Sequence, residues 1–436
     1  MKRFFISTVI GMCAGLVLGL GFLFVTPKLP HIFAQAFFYP ATSAVSTFIQ
    51  TKPQPFVPTQ GQYILDRIDK DIPQEGRTVY ADLFNMNIVL FENGQKINEY
   101  SIKSIGREGT AWQTPLGIFD MSYKVQNHFS SIGEVWMPYS MHFFGNYFIH
   151  GWPYYKDGTP VAEGYSGGCI RLETEDAQAI FEFVDKDTQL IVTHSSSAIQ
   201  SERDFVYKVT QDAPVLESSF VVIDISKGEV VASLGSQEPI AIGSFTKLMN
   251  GLISLETLNQ YLYVVYEQNI VTIGDLIYPL LLEDSNESAK VLAQHKNAGQ
   301  YLRDMNTRAQ SLGMFDTIYK DAIGEKSETL STLDDTARLL TYLYEYKPFV
   351  IHLLGQDTYA SQALSAQRLF DDSDIYTAGF VDIYNNSMIS FFEHTPSLEE
   401  DSSKNTFAII VQGSLNAKKD TQLLYEWVTT SLELRN

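Results

Sequence analysis

Cys169 and His150 are the residues of this chain whose types and separation most invite covalent chemistry. The stretch 147–172 that carries them reads YFIHGWPYYKDGTPVAEGYSGGCIRL. Each stands beside glycine, and a folded loop of roughly twenty residues can bring the two side chains together. A cysteine thiolate is a strong nucleophile. A neighbouring imidazole can take its proton during attack and later return one to a leaving amine. Gly167 and Gly168 let backbone N–H groups approach a tetrahedral oxyanion without side-chain obstruction. The bland alternative is a buried core thiol and a satisfied turn histidine. For either residue alone that alternative prevails; the pair with these glycines favours catalysis. A second reactive pair is Ser244 and Lys247 in IGSFTKLM at 242–249. Three apart, they share a helix face, where an uncharged lysine can act as base for the serine. Their bland reading is a helix N-cap and an exposed helical lysine. His128, His142, His150 and Cys169 have no zinc-type spacing, so no metal is expected.

Strand patterns surround the first pair. Thr78–Phe91 alternates as one strand, Glu92–Gln95 forms a hairpin turn, and Lys96–Ile105 returns as a second strand. Gly106–Thr114 is a polar, glycine-rich loop. Met141–Ile149 leads into His150. Thr174–Val184 is a helix, with Glu175 and Asp176 near its start and Ala177, Ile180, Phe181 and Val184 on one apolar face. Thr188–Val192 is a closing strand. These elements make a mostly-β domain over 77–195. The polar stretch 196–216 is expected to be a linker, and a second domain fills 217–436, opening with two strands in Phe220–Ser233 joined at Ser226–Gly228.

His150-Gly151 and Ser166-Gly167-Gly168-Cys169-Ile170-Arg171 resemble the motif of the L,D-transpeptidases of bacterial cell walls. The departure is Gly167, where that family usually has a second histidine. The resemblance implies Cys169 as acyl-enzyme nucleophile and His150 as its acid/base. It implies substrate or oxyanion contacts at Gly151, Ser166, Gly167, Gly168 and Arg171. It also places Tyr139, Trp152 and Tyr154 beside the cleft, where ordinary aromatic packing is an equal alternative. The implied reaction is acyl transfer between peptidoglycan stem peptides, without metal or organic cofactor and with carbapenem-type β-lactams as inhibitors of Cys169. If water takes the acyl group, the same site is an L,D-carboxypeptidase.

The second domain resembles the D-alanyl-D-alanine carboxypeptidases. Ser244 and Lys247 match their Ser-x-x-Lys motif, and 275–293, 301–314 and 331–343 resemble their helices. The implied fold is the α/β fold of serine β-lactamases and carboxypeptidases. Asp284-Ser285-Asn286 stands where the family has Ser-x-Asn, with Asn286 retained. Thr377-Ala378-Gly379 stands where it has Lys-Thr-Gly. The missing lysine removes an anchor for a substrate carboxylate, and Asp284 would repel one. A degenerate domain is therefore expected, a D,D-carboxypeptidase acting through Ser244 being the alternative.

The chain has 436 residues and a formal charge of −20, which disfavours a nucleic-acid partner. Its only other cysteine, Cys13, lies in an apolar segment, so Cys169 has no expected disulfide partner. Met1-Lys2-Arg3 precedes the uncharged Phe4–Val25, and about 22 residues at ~1.5 Å rise cross a bilayer. Residues 1–26 are thus expected to be a transmembrane anchor, with a cleaved signal peptide as the alternative. The basic start puts both domains on the outer side of the cell membrane. The proline-rich stretch 27–76 is expected to be a spacer.

Overall fold

An aspartate-led turn interrupts the alternating stretch at 78–91. In the computed structural model, Asp82 Oδ1 accepts hydrogen bonds from the backbone N–H groups of Phe84 (3.0 Å) and Asn85 (2.9 Å). Met86 then takes a positive φ of 54°. The expected single strand is therefore two, β1 (Arg77–Asp82) and β2 (Asn87–Glu92), paired antiparallel. Period-2 alternation carries across such a turn, which is why the sequence hid it. The next turn is where it was expected: Asn93 and Gly94 have φ of 51° and 74°, the left-handed pair that a tight hairpin needs.

The structure describes residues 54–56, 65, 72–194, 207–361, 364–369, 376–382, 386–396 and 404–434. The expected anchor at 1–26 lies outside them. Among the described residues no helix is long and apolar enough to cross a membrane.

The first domain continues with β3 (Gln95–Ser101), β4 (Gly117–Asp120), β5 (Tyr123–Ser130), β6 (Val135–Phe144), β7 (Tyr147–His150), β8 (Ile170–Arg171), α1 (Thr174–Phe183) and β9 (Gln189–Thr193). One sheet has the order β3-β2-β1-β9-β4, with β9 parallel to β1. The other has the order β5-β6-β7-β8, with β8 parallel to β7. Helix α1 buries Ala177 and Ile180, two members of the expected apolar face.

The second domain starts earlier than expected. β10 (Tyr207–Val209) pairs with the C-terminal strand Leu432–Leu434, so this part of 196–216 is sheet and not linker. β11 (Ser219–Asp224) and β12 (Glu229–Leu234) follow, then helices α2 (Thr246–Thr257), α3 (Asn286–Lys296), α4 (Ala298–Ser311) and α5 (Leu333–Tyr346). The chain returns through β13 (Ala378–Asp382), β14 (Ser387–His394) and β15 (Asn405–Gln412) to α6 (Ala417–Ser431). The five-stranded sheet has the order β12-β11-β15-β14-β13 and is antiparallel. Helix α2 is buried on all sides, which marks it as core rather than surface helix.

The expected spacer at 27–76 is not free throughout. Phe56 exchanges two backbone hydrogen bonds with Ser233 on the open edge of β12, and Leu65 is buried in the core. The two domains share one apolar core, and both belong to a compact unit spanning Lys52–Asn436. Gly117 shows how closely they meet: a Cβ there would stand 2.6 Å from the Ser311 carbonyl oxygen across the junction.

Candidate active site

The parallel register of β7 with β8 sets Ile149 against Ile170 and His150 against Arg171. With side chains alternating along each strand, Cys169 falls on the same face as Arg171 and His150. All three line one cavity of about 110 Å³, together with Gly167, Trp112 and Tyr147.

The turn carrying Cys169 is pinned by its own residues. Ser166 Oγ accepts from the Gly168 N–H (3.0 Å) and donates to the Cys169 carbonyl (2.6 Å). Gly168 has φ of 104°, and a Cβ there would fall 2.2 Å from the Tyr147 ring, so glycine is required. The Ser166 hydroxyl and the Gly168 N–H, expected at the substrate or its oxyanion, are engaged in this structure in holding the turn. Gly167 differs, since a Cβ there meets nothing within 4 Å. Gly151 packs against Thr174 and Pro138, and its N–H donates to the Pro138 carbonyl (2.8 Å).

His150 Nδ1 lies 2.6 Å from the Gly151 carbonyl oxygen. A carbonyl only accepts, so Nδ1 carries the proton and Nε2 is left with the lone pair that a base needs. Burial pulls the imidazole pKa down to about 3, against the opposing effect of that carbonyl. Burial pushes the Cys169 thiol up to about 11, although Arg171 pulls the other way. Cys169 keeps part of its surface open yet is ringed by protein. Among the described contacts its Sγ reaches the Asn146 carbonyl (3.8 Å) and makes no hydrogen bond to the imidazole. The resting pair is thus neutral thiol and neutral imidazole.

Arg171 is fixed through its backbone, with its N–H on the Ser104 carbonyl and its carbonyl accepting from Lys103 N–H, each at 2.8 Å. Its guanidinium lies over the Trp152 ring, and its buried Nε has no hydrogen-bond partner among the described residues. Such a nitrogen beside the thiol suits an anionic or carbonyl oxygen.

Tyr139 is not brought to this cavity. It takes a positive φ of 50° and packs edge-on against Phe181 of α1. Trp152 donates from Nε1 to the Val161 carbonyl (2.8 Å) and lines a separate cleft of about 1220 Å³. Tyr154 accepts from Asn127 through its hydroxyl (2.7 Å). Trp112 was missed because nothing in the loop 106–114 distinguishes a cleft residue from a surface aromatic. Leu255 and Leu258 of the second domain also line the cavity, and no local signal announces them.

Ser244 and Lys247 lie together but are rewired. Asp284 stands between them: Ser244 Oγ donates to Oδ2 (2.7 Å), and Lys247 Nζ pairs with Oδ1 (2.6 Å). Lys247 is 1% exposed, so it is not a surface lysine. Its Nζ is committed to the Asp284 carboxylate and not to the Ser244 hydroxyl. Burial raises the Asp284 carboxyl, while Lys247 and Ser244 hold it down. The Ser244 N–H, a donor that an oxyanion at this serine would need, goes to Asp382 Oδ2 (2.8 Å). Asn286 turns away and donates to Glu325 (3.0 Å). Thr377 is tied by its N–H and hydroxyl to the Phe391 carbonyl. Asp382 was missed in the sequence because it belongs to no motif and meets Ser244 from a distant strand.

Residues 76–192 match the YkuD family, the L,D-transpeptidase catalytic domain. The chain is 28% identical over 147 residues to a D-alanyl-D-alanine endopeptidase of Pseudomonas aeruginosa, covering 29% of this chain and 47% of that protein. It is 26% identical over 161 residues to one from Escherichia coli, covering 33% of this chain and 50% of that protein. The chain thus spans about half the length of these curated relatives. Among solved structures, penicillin-binding protein D2 of Listeria monocytogenes aligns with a TM-score of 0.43 at 19% identity, over 50% of this chain and 99% of that one. The chain joins a domain of the L,D-transpeptidase family to a second domain related to the D-alanyl-D-alanine peptidases.

Proposed function

We propose that this protein cross-links peptidoglycan by cysteine acyl transfer. The observation that carries the reading is the common cavity of Cys169, His150 and Arg171, with the free lone pair of His150 on Nε2. Cys169 Sγ attacks the carbonyl joining the third stem residue to D-alanine, and His150 takes the thiol proton as the C–S bond forms. The proton then passes to the departing D-alanine amine. Arg171 and the backbone N–H groups of Gly167 and Cys169 stabilise the oxyanion. An amine of a neighbouring stem resolves the thioester; with water instead, the product is a shortened stem. Carbapenem-type β-lactams would enter by the same attack. The segment 1–26 would anchor the chain in the cell membrane, with both domains outside.

The full chain is expected to release D-alanine from stem tetrapeptides and join them, as followed by muropeptide chromatography. Cys169→Ala should remove both activities. Cross-linking that survives this change rules the reading out.

The rewired serine site supports a second domain without D,D-carboxypeptidase activity. A fluorescent penicillin is expected to leave Ser244 unlabelled, as read by peptide mapping after incubation of the full chain and of the Ser244→Ala variant. A covalent penicillin adduct on Ser244 would restore the two-enzyme reading. The raised Cys169 thiol favours one competitor, a wall-binding protein without turnover, and released D-alanine counts against it.

A further inference from the structure

The cavity at Cys169 is not built by the first domain alone. Leu255 and Leu258, at the end of α2, form part of its wall. Asn146, whose carbonyl faces the thiol, donates from its side chain to the Thr257 carbonyl (3.0 Å). Trp112 lines the cavity, and its ring lies nearly parallel to that of Tyr261 from the second domain, with 6.4 Å between centroids. The loop bearing Trp112 is held from the same side. Lys347 Nζ donates to the Gln113 carbonyl (3.0 Å) and the Ala111 carbonyl (3.3 Å). Arg308 Nη1 donates to the Leu116 carbonyl (2.7 Å). None of these residues belongs to the Ser244 constellation.

We propose that the second domain supplies a specificity wall for the cysteine site. Leu255 and Leu258, with Trp112 steadied by Tyr261 and Lys347, bound a pocket for one small residue next to the scissile carbonyl. The proposal rests on the reading of Cys169 as nucleophile, and identifies that residue as the departing D-alanine. A pocket of about 110 Å³ suits a residue of that size. An engineered apolar cavity that holds benzene is larger, at roughly 150 Å³. Aromatic fourth residues are therefore expected to enter less readily than alanine. Leu258 opposes them directly; Tyr261 is a positioning residue acting through Trp112.

The test uses the full chain as wild type, Leu258→Ala, Tyr261→Ala and Tyr261→Phe. Tyr261 is 71% exposed, so its replacement leaves the core intact even if Leu258→Ala weakens the fold. Alkylation of Cys169 by iodoacetamide is compared with that by bulky N-benzyl iodoacetamide, with adducts mapped by peptide mass spectrometry. D-Alanine and D-phenylalanine release from matched tetrapeptides is measured in parallel. The small-to-bulky rate ratio is expected to fall about tenfold in Leu258→Ala, the scale of a few methylenes in a pocket. It should fall in Tyr261→Ala and return to the wild-type value in Tyr261→Phe. Ratios unchanged in both alanine variants overturn the wall, even if Cys169 proves to release D-alanine. Shifted ratios without Cys169-dependent release keep the wall and discard the reaction.

Discussion

Iodoacetamide should alkylate Cys169 about tenfold faster for each unit of pH between 7 and 10, roughly a thousandfold in all. The thiol is held near a pKa of about 11 by burial, so its thiolate fraction still climbs where an ordinary thiol, near ~8.5, has levelled off. His150, pulled down to about 3, carries no charge in this range and cannot hold the thiolate as an ion pair. The profile should therefore show no step near pH 6.5. Stopped-time alkylation with peptide mapping separates Cys169 from Cys13. A rate that is already flat from pH 7 to 8 would mean a preformed thiolate–imidazolium pair, contrary to the geometry described above. Sulfur must lose its proton as it attacks, so the Nε2 lone pair of His150 is used during the bond-forming step rather than before it.

Arg308→Met should cost about 3–5 kcal/mol of unfolding free energy, the usual result of leaving a buried charge without its partner. Arg308 is wholly buried at the domain junction and pairs with Glu256 through Nε (2.8 Å) and Nη2 (3.0 Å). The same guanidinium lies over the rings of Phe119 and Tyr342 and donates to the Leu116 carbonyl. Methionine fills part of the space but leaves Glu256 with the Tyr342 hydroxyl (3.3 Å) and the more distant Lys347 (3.8 Å) in place of the guanidinium. Urea unfolding of the full chain, followed by tryptophan fluorescence, reads the loss. Glu256→Gln in the Arg308→Met background should recover part of it, because the orphaned carboxylate is then gone. A single-variant loss below about 1 kcal/mol would show that this pair does not hold the junction together. Because α2 and α4 meet the first domain here, the loss should appear in both domains and not in the second alone.

Much of the chemistry was legible in the sequence because it depends on local order. Cys169 and His150 each sit beside glycines, and Gly168 needs its left-handed φ within a four-residue turn. Asn93-Gly94 marks its hairpin by residue type alone, and the apolar spacing of 174–184 marks its helix. Ser244 and Lys247 share a helix face by arithmetic. The break at Asp82–Met86 escaped because a side chain, not the hydrophobic pattern, makes that turn.

The roles that were not legible depend on residues far apart in the chain. Burial decides that the thiol and imidazole rest neutral, and burial is a property of everything packed around them. Asp284 was visible as a departure from a motif, but only the folded chain puts it between Ser244 and Lys247. Asp382 reaches the Ser244 N–H from β13, a meeting no spacing rule encodes. Leu255 and Leu258 are buried apolar residues in the last turn of α2 and just past it; their place beside Cys169 follows from how the two domains dock. Sequence alone therefore determined which reactive groups this protein carries. Tertiary structure decided which of them face a shared cavity and which are neutralised, because desolvation and charge pairing act through space.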